Sequence, residues 1–224
     1  MLKSPRTGTG AHARYPAVLL AVFFLISVLT NLAPPAGRTS WWLEVGPGVL
    51  GIVLLVATFR RFPMSHLVYT LVFVHCCILV YGGYYTYALT PLGNWARDTF
   101  HLARNHYDRV GHLALGAFPA FTIREILLRT SPLERGGWLT FILINVIFGF
   151  AALYELFEWG AALVLDPAGG DAFLGTQGYV WDAQSDMLYA GIGAVVGLVL
   201  LTRLHDAELK RLGVATSSSA LPSP

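Results

Sequence analysis

Six stretches of this 224-residue chain are apolar for long enough to cross the roughly 30 Å hydrocarbon core of a bilayer. They are Tyr15–Ala33, Glu44–Phe59, Ser65–Leu89, Asp108–Leu128, Trp138–Trp159 and Asp186–Leu204. In hydrocarbon every backbone N–H and C=O must be paired within the protein, so only helices and closed barrels span. Runs this long exceed the roughly 9–11 residues of a spanning strand. The expected fold is therefore all-α: a polytopic integral membrane protein, a bundle of about six transmembrane helices. Composition agrees, with 12% charged residues against about 25% in soluble domains. The second run is the weakest, being short and interrupted by Gly46-Pro47-Gly48 and Gly51.

Basic residues orient the spans, because Lys and Arg collect on the cytoplasmic side. One set of span ends carries Lys3, Arg6, Arg14, Arg60, Arg61, Arg124, Arg129, Arg135, Arg203, Lys210 and Arg211, eleven in all. The other set carries four: Arg38, Arg97, Arg104 and Arg109. Asp166–Asp186 holds four aspartates and no basic residue. This predicts both termini inside (N-in/C-in) and the acidic segment outside. Residues 1–14 then form a cytoplasmic tail, 15–212 a single transmembrane domain, and 213–224 a disordered tail rich in Ser, Ala and Pro. The alternative, a cleaved signal peptide ending near Ala33–Ala36, fits less well. Its apolar run is long, Pro34-Pro35 crowd the cut site, and its removal leaves an odd number of spans. A net charge of +2 spread over four ends is the positive-inside pattern and points to no nucleic-acid partner. Cys76 and Cys77 are adjacent, lack zinc-ligand spacing, and read as small apolar filler. No internal repeat supports an inverted-repeat transporter.

Against this apolar background the placement of acids and histidines is informative. His106, Asp108, His112, Glu155, Glu158, Asp171, Asp182 and Asp186 fall at or near the ends of three spans. Ionisable groups at membrane depth are costly and mark functional sites by default. Asp108 and His112, four apart, share a helix face, as do Glu155 and Glu158, three apart, and Asp182 and Asp186. Glu155 and Glu158 come roughly 25 and 30 Å along a helix starting at Trp138, which is its outer end. Three helices thus deliver acid or imidazole pairs to one outer depth.

Plainer readings stand beside this one. Acids in a first helical turn suit the macrodipole, which accounts for Asp108, Asp182 and Asp186 taken singly. It does not account for Glu155 and Glu158 at a C-terminal end, and Arg109 is the one basic residue expected nearby. Arg124-Glu125 and Arg129 read as snorkelling with local pairing. Trp41, Trp42, Trp95, Trp138, Trp159 and Trp181 read as an aromatic belt, and Tyr81, Tyr84, Tyr85 and Tyr87 as part of it. His75 reads as a core histidine hydrogen-bonded to another helix. Gly193 and Gly197 form a small-xxx-small pair for close helix packing. The loop Phe173–Asp182, with Gly175 and Gly178 around Thr176-Gln177, reads as a lid presenting Gln177 to a ligand.

At these residues the chain resembles the YjdF-like family of bacterial inner-membrane proteins. The matching stretches are NHYDRVGH (Asn105–His112), REILLR (Arg124–Arg129), YELFEW (Tyr154–Trp159) and FLGTQGYVWDAQSDM (Phe173–Met187). The resemblance covers about residues 40–212 and implies a bacterial inner-membrane location and a multi-span helical fold; it supplies no activity. A looser similarity to VanZ-like membrane proteins aligns Asp108/His112, Glu155 and Asp186 with that family's Asp-x-x-x-His helix start, intramembrane Glu and late Asp. It implies a cell-envelope setting.

The functional expectation is an outer-facing site with His106, Asp108, His112, Glu155 and Asp186 as metal ligands and Glu158, Asp182 and Gln177 as catalytic groups. One imidazole or two with several carboxylates suit zinc, manganese or magnesium. The reading is a metal-dependent enzyme acting on a lipid or lipid-linked envelope substrate. The alternatives are a structural or accessory protein with an internal charge network, and a proton- or cation-coupled transporter.

Overall fold

A computed structural model describes residues 9–165 and 167–214, without the side chains of 9–11, 167, 168, 171 and 172. The tail from Ala215 and the first eight residues lie outside it, as does the side chain of Asp171. Among the described residues the chain is helical, with no strand. The helices are α1 (Thr9–Leu32), α2 (Arg38–Thr58), α3 (His66–Tyr85), α4 (Pro91–Phe100), α5 (Tyr107–Ala117), α6 (Pro119–Thr130), α7 (Gly137–Val164), α8 (Pro167–Leu174) and α9 (Asp182–Arg211). A 3₁₀ turn, Tyr87–Leu89, precedes α4. Five of them, α1, α2, α3, α7 and α9, are long and apolar enough to cross a membrane.

Three expectations about the spans are corrected. The second run is not short: α2 is a continuous 21-residue helix that takes Pro47 in its interior. The third ends at Tyr85, where Thr86 turns the chain at φ 60, and the residues after it form the 3₁₀ turn and α4. The fourth is broken into α5 and α6 at Phe118, because Pro119 has no N–H to bond back one turn. The pair nonetheless runs parallel to α9 along most of its length. Gly116 lies against the Ala190 carbonyl, Gly193 against Leu113 and Gly197 against Ala117, and Arg124 reaches Asp206 at 2.8 Å further along. The Gly193/Gly197 stripe does let the helices approach to backbone contact, as expected. The α5–α6 pair is thus a candidate sixth crossing beside the five long helices.

Contacts at the helix ends fix the up-and-down order. His12 meets the Met64 carbonyl (3.1 Å) and Tyr15 meets Thr70 (2.8 Å), placing the starts of α1 and α3 together. Arg129 donates to the Pro63 carbonyl (2.7 Å), adding the end of α6 to the same pole. At the opposite pole Ala36 donates to the Tyr84 carbonyl (3.3 Å), and Tyr107 donates to the Ile78 carbonyl (3.2 Å). One pole, the basic end, therefore collects the Arg60–Arg61 turn, the α6–α7 turn and the end of α9. The other, the acidic end, collects α4, the start of α5 and the α8–α9 loop.

The apolar core follows this layout. Near the basic end Val68, Phe121, Leu139 and Leu143 pack together; nearer the acidic end Trp41, Val45, Cys76 and Val80 do so. Trp41 is 1% exposed, so it is a core residue and not part of a belt, unlike Trp138, Trp159 and Trp181. Cys76 is core filler, as read from the sequence.

Candidate metal centre at the acidic end

The first turn of α5 brings Asp108 and His112 onto the face that packs on the first turns of α9, and α9 answers with Asp186. One ligand atom from each of Asp108, His112 and Asp186 lies within 4.8 Å of the others. His112 Nε2 stands 3.6 Å from Asp108 Oδ1 and 3.6 Å from Glu155 Oε1 on α7. Those separations are too long for hydrogen bonds. They are close to the ~3.4 Å edge of a tetrahedron drawn around a cation with bonds of about 2.1 Å. His112 and Asp186 are 3% and 2% exposed. Yet His112 Nδ1, Glu155 Oε1 and Asp186 Oδ1 are buried without hydrogen-bond partners. Buried polar atoms are almost always paired, so three unpartnered ones on neighbouring residues set this group apart from an ordinary core.

Behind this group a small cavity opens toward the bundle interior, lined by Glu44, His75, Tyr87, Asp108, His112, Tyr154 and Glu158 among others. It leaves about 10 Å³ for the centre of a water-sized sphere, room for about one water or ion. Tyr154 donates to Glu44 Oε2 at 3.2 Å. Neither Glu44 nor Glu158 joins an ion pair among the described residues. Glu44, 3% exposed, is a site residue that the sequence pattern does not single out, because it stands at the start of the weakest apolar run. The rule that flagged the other carboxylates, an acid inside an apolar run, would have found it. His75 Nε2 has no hydrogen-bond partner, so this imidazole faces the cavity and is not the satisfied core histidine expected. Tyr87, 7% exposed, also belongs to this inner wall and not to a belt.

The remaining expected site residues sit at the rim. Asp182 pairs with Arg104 at 2.6 Å, although its Oδ1 is not aligned for a hydrogen bond. Arg104, which the sequence reading left out of the site, also donates to the Thr176 carbonyl at 2.8 Å and lies 4.7 Å from the Tyr179 ring centre. Arg109 is thus not the sole basic residue near the acids. Gln177, left-handed at φ 50, exchanges two hydrogen bonds with the backbone of Asn105: Nε2 donates to its carbonyl (2.8 Å) and Oε1 accepts from its N–H (3.1 Å). Asn105 in turn donates to Thr90 and Asn94, tying α4 to the loop. The Gln177 amide is occupied in holding the loop. His106 precedes α5 outside the Asp108–His112–Asp186 group, with Nδ1 unpartnered; burial, then the Arg109 and Arg104 charges, hold its imidazole below the usual range.

At the basic end a second polar cluster joins α6 to α9. Glu125, 0% exposed, accepts from Arg129 (2.7 Å), from His205 Nε2 (3.1 Å) and from the Ser65 N–H (3.0 Å). Arg124 donates to His205 Nδ1 (2.7 Å) and to Asp206 (2.8 Å), which also receives Arg135 (2.9 Å). Because arginine can only donate, His205 accepts at Nδ1 and carries its proton on Nε2, toward Glu125. Arg129 and Glu125 do pair locally. The expected snorkelling does not occur, since Arg124 is 3% exposed.

Residues 15–207 match the family described as Predicted membrane protein (DUF2238). The chain is also similar to Inner membrane protein YjdF of Escherichia coli (strain K12), with 43% identity over 192 residues, covering 86% of this chain and 91% of that protein. No solved structure matches the chain significantly. With both poles of the bundle falling inside the matched region, this chain belongs to the DUF2238 family of membrane proteins and is an inner-membrane helical protein of the YjdF type.

Proposed function

We propose that the acidic end is a divalent-cation site facing the outer leaflet, and that it serves chemistry on a lipid or lipid-linked substrate. Asp108, His112 and Asp186 are the core ligands, with Glu155 completing the set. The observation that carries this reading is the convergence of three ligand atoms within 4.8 Å, amid buried N and O atoms with no partner. One imidazole with carboxylates favours zinc or manganese, while magnesium would keep more water. A cation held there supplies a Lewis acid for a phosphoryl or acyl oxygen. Glu158, in the cavity wall beside Asp108 and His112, is placed to act as general base. Asp182 and Gln177 act by positioning, the one anchoring Arg104 and the other holding the loop. His106 lies outside the ligand set.

The test is thermal. Chain stripped of metal in mild detergent should gain stability on addition of zinc or manganese, and Asp108→Ala and Asp186→Ala should lose that gain. A protein indifferent to zinc, manganese and magnesium would refute the site. Orientation is tested separately. Six crossings with the basic end cytoplasmic predict that Val180→Cys, but not Glu134→Cys, reacts with a membrane-impermeant thiol reagent on intact cells. The reverse pattern would invert the topology.

A further inference from the structure

We infer that Arg109 is the anion-recognition residue of this site and takes a phosphoryl group of a membrane lipid beside the bound cation; the inference rests on the metal-site reading. Arg109 follows Asp108 in the first turn of α5 and stands three residues before His112, on the flank of the ligand face. Six carboxylates lie in this part of the bundle: Glu44, Asp108, Glu155, Glu158, Asp182 and Asp186. Yet Arg109 forms an ion pair with none of them among the described residues, and its buried Nε has no hydrogen-bond partner. Arg104 shows the contrast, since it is committed to Asp182 and to the Thr176 carbonyl.

What holds Arg109 is aromatic. Its guanidinium carbon lies 5.0 Å from the Tyr189 ring centre and 5.8 Å from that of Tyr179. Cation–π contacts fix the plane of the group while leaving its N–H edges open, and that planar fork matches a phosphate in a bidentate way. A phosphoryl group is tetrahedral, so one oxygen can face the cation while two others face the fork. Cation and arginine clamps on phosphoryl groups use this geometry.

The rim says where the phosphoryl group comes from. Beside Tyr179 the loop exposes Val180 (82%) and Trp181 (62%), and the neighbouring α4 exposes Leu92, Trp95 and Phe100. Large apolar side chains at the end of a membrane bundle sit at the boundary between headgroups and acyl chains. A ligand entering past them is lipid-borne, and its phosphate arrives at the depth of Arg109.

The experiment uses the full chain in detergent, loaded with zinc or manganese, and titrates dioctanoyl phosphatidic acid, dioctanoylglycerol and inorganic pyrophosphate. Metal content and melting temperature are read in the same samples. The expected result is saturable binding of phosphatidic acid, tighter than pyrophosphate, and none of dioctanoylglycerol. Arg109→Gln should weaken phosphatidic acid at least tenfold with metal content unchanged. Arg109→Lys, which keeps the charge without the fork, should fall between. Wild-type protein that binds neither phosphate compound, or Arg109→Gln binding phosphatidic acid as tightly as wild type, overturns the proposal. Pyrophosphate binding tighter than phosphatidic acid overturns the lipid source. Absence of metal from the loaded protein refutes the cation site instead, and the difference between Arg109→Gln and wild type still judges Arg109.

Discussion

Glu125 and Asp186 are both carboxylates packed between the broken helix α5–α6 and α9, one near each end of the bundle. Around Glu125 the charges are matched: Arg129, His205 and Ser65 converge on it, while Arg124 and Arg135 share Asp206, and Arg135 Nη2 is the one buried donor of this network without an acceptor among the described residues. Around Asp186 the acids outnumber the bases, one arginine is spent on Asp182, and three buried atoms of Asp186, Glu155 and His112 are left open. Both clusters are buried and joined by the same helices, so burial alone does not separate function from structure. Satisfaction does. A charge-balanced network can stand without a ligand, whereas a surplus of buried carboxylates needs a cation or protons.

The sharpest way to break this comparison is to remove Glu125. Glu125→Ala leaves Arg129 and His205 without their buried acceptor and should cost about 3–5 kcal/mol, read by denaturation in detergent, with metal content unchanged in the fraction that folds. If Glu125→Ala were neutral while metal-free wild type was equally stable, the two ends would not differ in kind. Next comes the seam that joins the ends. A side chain at Gly116 meets the Ala190 carbonyl and one at Gly193 meets Leu113 backbone. Gly116→Leu and Gly193→Leu should therefore cost about 1–3 kcal/mol or more and lower metal affinity by separating Asp108 from Asp186. A smaller effect of opposite sign is expected at the acidic end. Without metal, Asp186→Asn relieves like-charge repulsion and should raise the melting temperature by ~2–4 °C, which corresponds to about 1 kcal/mol. The same change at Asp206, where the charge is paired, should lower it. The smallest effect belongs to Gln177→Ala, which removes two hydrogen bonds to Asn105. It should cost about 0.5–1 kcal/mol, seen as faster amide exchange in the Gly175–Trp181 loop and not as loss of metal.

Much of this was readable from residue spacing. The apolar runs, the Asp108/His112 and Glu155/Glu158 faces and the Gly193/Gly197 seam follow from helical periodicity and the cost of charge in hydrocarbon, both local properties. What sequence could not show were distances between segments far apart in the chain. Glu44 joins the site because Tyr154, 110 residues later, reaches it. Arg104 was counted only as a loop charge until Asp182 came within 2.6 Å. Arg124-Glu125 looked like a local pair because its main partners, His205 and Asp206, are 80 and more residues away. The break at Phe118 was legible in Pro119, whose missing N–H the apolar run concealed.

Metal stoichiometry of the purified protein decides whether the acidic end holds a cation. Wild type, Asp186→Asn and Glu125→Gln are to be prepared in the same detergent, dialysed against zinc or manganese at equal concentration, and measured by elemental analysis. The account predicts close to one cation per chain in wild type and in folded Glu125→Gln, and a loss of tenfold or more in Asp186→Asn. Wild-type protein without bound metal, or Asp186→Asn retaining as much as wild type, would contradict it and make the acidic end a second structural network.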